Sequence, residues 1–237
     1  MKVEMDFYVG LRDADIDLNI TDTGILACLE NVACYHSELA GYGASTIEKT
    51  RKTWVLLNWK VEILNRPKYN QLLKVQTWSR LFDKFYAYRD FKVFDENKNL
   101  MIVATSKWVL IDIDRVRPIK ITDEVGEKYY SENINALDDE EIEPIEEPIN
   151  VISSIKYKVT KNMIDINDHL HNIYYMDMAK EVLPKEEKQY KYIEIVYKKE
   201  IKPDAVVNIS YAKQEESAII TIKSEDDSIL HSIIRLK

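Results

Sequence analysis

Between Asp165 and His169 the chain sets two carboxylates, a carboxamide and an imidazole within five residues, Asp165-Ile166-Asn167-Asp168-His169. A β-branched run ending at Thr160 precedes them. Leu170, Ile173, Tyr174, Met178 and Val182 follow at roughly the i, i+3, i+4, i+8 spacing of a helix. The pattern predicts a strand, a polar loop, and a helix running to Leu183. The first N–H groups of a helix lack intrahelical partners and carry partial positive charge. They can hold the oxyanion that forms when a carbonyl is attacked, while Asp, Asn and His beside them orient water and move a proton. The same residues also suit a purely structural role, with Asp165 and Asn167 making the turn and Asp168 capping the helix. Spacing does not separate the two readings. His169 and His171 diverge on a helix, which argues against a metal site.

The elements that carry this loop come from 237 residues, 46% of them hydrophobic, enough for one large domain or two small ones with a real core. No apolar run approaches the ~20 residues of a bilayer span. The opening MKVEMDFYVGL has no apolar signal core. The expectation is a cytoplasmic protein without membrane insertion. A formal charge of -8 argues against a general nucleic-acid binder. Lys185, Lys188, Lys191, Lys198, Lys199 and Lys202 form one local basic cluster, and Arg115, Arg117 and Lys120 another. Such clusters are usually solvated faces, and either could dock an acidic partner. Cys28 and Cys34 lie on one predicted helix, poorly spaced for a disulfide. They read as buried thiols, with no zinc signature.

In chain order, residues 3–11 read as a strand and residues 25–40 as a helix apolar around most of its girth, capped by Thr23 and closed by Gly41. Strands are predicted at 54–64, 72–79, 84–94 and 100–113, with Asp95 to Asn99 as a hairpin turn. Residues 122–150 are dense in Asp and Glu and read as an acidic linker. A strand at 151–160, the polar loop and the second helix follow. Four more strands are predicted at 191–201, 205–213, 218–223 and 229–236.

Strand, apolar helix and four strands thus occur twice, at 1–121 and 151–237. A shift of 148 lays Asp17 on Asp165, Asn19 on Asn167 and Thr21 opposite His169. The repeat predicts an α+β chain of two units, each an antiparallel sheet wrapped around a helix. Only the second carries the imidazole, so one active site per chain is expected.

Two such units in tandem resemble the double hotdog of the acyl-acyl-carrier-protein thioesterase family. Leu29 to Gly43 resembles that family's first helix. Trp54-Val55-Leu56, Asp90-Phe91 through Asn97, and Ala104 to Asp112 resemble its core strands. Residues 165–175 resemble its D-x-N-x-H-x-N-N-x-x-Y signature, with His171 in place of the first Asn of the pair, and Tyr197-Lys198-Lys199-Glu200 resembles the segment bearing its catalytic glutamate. Ile201 follows Glu200 where plant members often have Cys, which argues against a thiol mechanism.

The resemblance implies hydrolysis of a fatty acyl thioester on acyl carrier protein, with no metal or organic cofactor. It implies Glu200 and His169 in water activation and proton transfer, and Asn167 positioning water or the carbonyl. Asp165 would fix His169 or Asn167, or act on the water itself. Backbone N–H groups near His169 to His171 would hold the oxyanion. The first unit would enclose the acyl tail, with Ile25, Leu26 and Leu29 as lining candidates, although such a set also reads as plain core. The protein is expected as a monomer or homodimer. Two alternatives stand beside this: a hotdog hydratase or dehydratase on acyl thioesters, and a non-catalytic acyl-binding module.

Overall fold

A computed structural model describes residues 1–138, 142, 144–184 and 190–237. They fall into two compact units, Met1–Glu141 and Ile142–Lys237. Lys185 and Lys188 of the basic cluster lie outside the described residues.

The first unit runs β1 (Val3–Tyr8), α1 (Asp22–Leu39), α2 (Ile47–Thr50), β2 (Lys52–Ile63), β3 (Leu72–Asp83), β4 (Tyr86–Phe94), β5 (Leu100–Asp112), β6 (Arg117–Pro118) and α3 (Asp123–Tyr129). Its strands pair antiparallel in the order β1-β3-β4-β5-β2, with β6 on the end of β5. The helix α1 packs on β1 and β3. It starts where Thr21 accepts a hydrogen bond from the Gly24 amide at 3.0 Å, so the cap is Thr21 and not Thr23. It closes at Gly41, whose φ of 79° only glycine adopts freely. Ile25, Leu26, Cys28, Leu29, Val32 and Ala33 form its buried side. Cys34 is exposed, contrary to the expectation of two buried thiols.

The second unit repeats the plan with β7 (Ser153–Lys158), α4 (Tyr174–Val182), β8 (Tyr192–Tyr197), β9 (Val206–Gln214), β10 (Ser217–Ser224) and β11 (Leu230–Leu236). Its order, β7-β9-β10-β11-β8, is that of the first unit strand for strand. Here α4 packs on β7, β9 and β10. It begins at Tyr174, four residues after the helical pattern in the sequence.

The expected linker is the largest departure. Residues 122–137 are packed into the first unit. Thr122 caps α3, and Ile121, Val125 and Tyr129 join a buried cluster with Ala40, Ala87 and Leu110. Trp78 Nε1 donates to the Ile134 carbonyl at 2.7 Å, and the Ala136 amide donates to the buried Asp90 carboxylate at 2.7 Å. On the other side, Ile145 packs with Val196, Ile219 and Ile233 in the second unit. Acidic composition masked a few well-placed apolar side chains. Residues 139–141 and 143 of that stretch lie outside the described residues.

Candidate active site

The polar loop is built around one carboxylate. Asp165 Oδ1 accepts from the amides of Asn167 at 2.8 Å and His169 at 3.2 Å, and Oδ2 accepts from Asn167 Nδ2 at 3.3 Å. The Asp165 amide donates to the His169 carbonyl at 2.8 Å, and the Asp168 amide to the Asp165 carbonyl at 3.2 Å. Asp168 takes φ 60°, a left-handed conformation that Asp tolerates. Asp168 is therefore the turn residue and does not cap a helix. Asp165 holds the backbone on which Asn167 and His169 stand.

The first unit contains the same loop. Asp15 Oδ1 accepts from the amides of Asp17 and Asn19, both at 2.9 Å. The Asp15 amide donates to the Asn19 carbonyl at 2.8 Å, and Leu18 takes φ 60°. A one-turn 3-10 helix precedes each loop, at Leu11–Asp13 and Lys161–Met163. The matching residues are Asp15 and Asp165, Asp17 and Asn167, Asn19 and His169. The offset read from the sequence, with Asn19 on Asn167 and Thr21 on His169, is thus two residues out. Identical letters decided it there; the hydrogen-bonded carboxylate decides it in the fold.

What faces the loop is the segment after β8. The Leu170 amide donates to the Ile201 carbonyl at 2.9 Å, which sets His169 and Leu170 against residues 200–202. Lys202 Nζ lies 2.6 Å from His169 Nε2. In the first unit the corresponding bond runs from the Ile20 amide to the Pro67 carbonyl at 2.8 Å. The residue one before it is Arg66, standing where the second unit has Glu200. Glu200 is exposed, and among the described residues its carboxylate has no hydrogen bond or ion pair.

Tyr175, in the first turn of α4, is 2% exposed and meets Tyr197 edge-on at 5.1 Å between ring centres. Burial pushes its hydroxyl well above the usual tyrosine range, and the charges of Glu200 and then Asp165 push it further. Both carboxylates therefore act on one buried phenol. Tyr197 Oη donates to the Asn172 carbonyl at 3.0 Å and fixes the approach to α4. The His171 ring stands edge-on to Tyr174 at 6.1 Å.

The amides expected to hold an oxyanion are already committed. His169 donates to Asp165, Leu170 to Ile201, and His171 to the Met163 carbonyl at 2.9 Å. Among the described residues, the amides of Asn172 and Ile173 have no hydrogen-bond partner. They precede α4, whose N-cap has no side-chain cap, and are the better donors. Asp165, Asn167 and His169 therefore share one loop and Glu200 lies against it. Ile25, Leu26 and Leu29 are elsewhere, wholly buried on α1 in the first unit. The sequence reading passed over Lys202, Tyr197 and the 172–173 amides. Lys202 figures there as one charge among six, and Tyr197 only as the start of the segment bearing Glu200.

The chain matches two family models, the acyl-ACP thioesterase N-terminal domain over residues 1–129 and its C-terminal domain over residues 146–233. The chain belongs to the acyl-ACP thioesterase family. It is 25% identical to oleoyl-acyl carrier protein thioesterase 2, chloroplastic, of Arabidopsis thaliana over 91% of this chain and 64% of that one. It is 24% identical to the oleoyl-acyl carrier protein thioesterase of Coriandrum sativum over 91% of this chain and 64% of that one. The chain thus spans less than two thirds of the length of these curated relatives. Among solved structures it is similar to the 12:0-ACP thioesterase from Umbellularia californica, with a TM-score of 0.87 at 18% identity over 100% of this chain and 96% of that one. It is also similar to an acyl-ACP thioesterase from Bacteroides thetaiotaomicron, with a TM-score of 0.82 at 20% identity over 99% and 96%. Both likenesses agree with two tandem hotdog units. Among the described residues, no helix is long and apolar enough to cross a membrane.

Proposed function

We propose that this member of the acyl-ACP thioesterase family hydrolyses a fatty acyl thioester carried on acyl carrier protein and releases the free acid. The observation that carries the reading is the Leu170–Ile201 bond, which lays the loop bearing His169 against the segment bearing Glu200. A thioester carbonyl is already activated, so the site needs an oriented water, a proton acceptor and donors for the oxyanion. Glu200 and His169 take the water proton and return a proton to the departing thiolate. The water oxygen bonds the carbonyl carbon as the C–S bond breaks. Asn167 positions water or the carbonyl, and the 172–173 amides hold the oxyanion. The bonds of Asp165 to its own loop support a positioning role over direct action on water. The first unit takes the acyl tail along α1, with Ile25, Leu26 and Leu29 in its lining.

The test is incubation of the purified protein with a panel of acyl carrier protein and coenzyme A thioesters, following thiol release and the freed acids. Stoichiometric release of thiol and fatty acid is expected. A change in the acyl group without thiol release would assign a lyase, and binding without turnover a non-catalytic module. Ile25→Phe, Leu26→Phe and Leu29→Phe are expected to shorten the preferred chain. Unchanged product lengths in all three folded variants would remove the tail role.

A further inference from the structure

A neutral imidazole has one basic lone pair, on whichever ring nitrogen lacks hydrogen. A lysine ammonium has three donors and no acceptor. With Lys202 Nζ 2.6 Å from His169 Nε2, that nitrogen accepts and the ring hydrogen sits on Nδ1. Any proton that His169 takes from water must arrive at Nε2, where Lys202 stands. Lys202 is exposed, and among the described residues it has no carboxylate partner and its ammonium meets only the imidazole. Lys198 and Lys199, close by in the chain, are exposed as well.

We propose that Lys202 is a latch on the catalytic imidazole: in the resting chain it occupies the basic nitrogen of His169, and an anionic group on the thiol side of the substrate draws it away. Lys202 is then a positioning residue whose release couples binding of an anionic thiol carrier to the freeing of the base. The shared chemistry is an anion beside the thioester, either the phosphate of the thiol's arm or carboxylates of a carrier protein. The second half of this inference rests on the thioesterase reading above. The first half, the hold on Nε2, does not.

The test has a spectroscopic arm and a kinetic arm. With ¹⁵N-histidine labelling, assigned through a His169→Asn variant, the resting protein is expected to show His169 unprotonated at Nε2 and protonated at Nδ1. Lys202→Met is expected to shift that tautomer balance and Lys202→Arg to retain it. A tautomer unchanged in Lys202→Met overturns the latch. The kinetic arm compares acyl carrier protein, coenzyme A and N-acetylcysteamine thioesters of one acyl chain, which carry both anions, phosphate, and neither. Lys202→Met is expected to raise kcat/KM on the uncharged thioester by about two- to fivefold, the scale of one exposed charged contact. On the anionic thioesters it is expected to raise KM by a similar factor. Effects on both anionic substrates assign the phosphate as the anion, and an effect on the carrier protein thioester only assigns its carboxylates. Equal changes on all three substrates overturn the latch. A tautomer that responds to Lys202→Met in a protein that turns over no thioester upholds the hold on Nε2 and overturns the thioesterase reading instead.

Discussion

The loops at residues 11–21 and 161–171 share one backbone and differ in what their side chains are spent on. In the first, Asn19 stands where the second has His169, and Arg66 where it has Glu200. Arg66 Nη1 donates to the Ile20 carbonyl at 2.9 Å, and Nη2 pairs at 2.9 Å with Asp22, which is 1% exposed. The first unit has an imidazole too, but His36 is wholly buried on α1, with Arg89 Nη1 at 2.8 Å from its Nδ1 and Tyr129 edge-on at 5.3 Å. Its polar groups are locked into structure, whereas the second unit leaves a carboxylate and an imidazole reachable. The helices follow suit. Capped by Thr21, α1 starts straight after its loop, whereas α4 starts later and leaves two amides unspent.

The largest effect should come from the second loop. His169→Ala and Glu200→Ala are each expected to lower turnover by ~10²-fold or more, the usual scale for a lost acid–base group. Asn19→Ala, at the matching place in the first loop, should leave turnover within a factor of two. An equal loss in Asn19→Ala would break the comparison.

Stability should divide the other way. Arg66→Met is expected to cost ~1.5–3 kcal/mol, since it removes the ion pair to a buried carboxylate and a charged hydrogen bond to a carbonyl. Glu200→Gln, on an exposed side chain, should stay within about 0.5 kcal/mol. Urea unfolding of both variants measures the contrast.

His36 offers a pH signature for the first unit. Burial, and then the Arg89 charge, bring it from its ordinary 6.5 down to about 3. Between those values the unfolded chain holds a proton that the folded chain refuses, so unfolding free energy falls as pH drops. The slope is at most ~1.4 kcal/mol per pH unit for one such group. His36→Gln keeps an acceptor for Arg89 and removes the titration, so its stability should vary less over the same range. An unchanged slope would show that His36 is not the group responsible.

The smallest effect tests the approach to α4. Tyr197→Phe loses one hydrogen bond to the Asn172 carbonyl and should cost about 1 kcal/mol. If the 172–173 amides serve the oxyanion, turnover should fall more than substrate affinity. Steady-state kinetics with single-turnover binding would separate the two.

The fold was largely legible because its signals are periodic. Apolar alternation and two apolar helices gave nearly every strand and the duplication. Of the candidate site residues, Asp165, Asn167 and His169 stand out as one polar cluster whose spacing suits a turn equally well, whereas Glu200 is picked out only by the family signature, since taken by itself it reads as a surface strand carboxylate. Two things escaped for physical reasons. The pairing of the loops depends on which carboxylate accepts the backbone amides, and Asp15 and Asp17 are both candidates in the sequence. The contact between Lys202 and His169 joins residues far apart in the chain, which no spacing rule connects.

The tie between Ala136 and Asp90 also bears on how the two copies could be taken apart. Asp90 is wholly buried, held by Thr105 Oγ1 at 2.7 Å and Arg80 Nε at 3.2 Å as well as by the Ala136 amide. A first half cut after residue 121, where its sheet ends, would strip that carboxylate of a donor and uncover the Trp78 indole and the Tyr129 pocket. An expression fragment meant to fold by itself should therefore extend through Leu137, which is 4% exposed. The last strand is not the end of the first copy: its closing seam is α3 and the irregular chain after it.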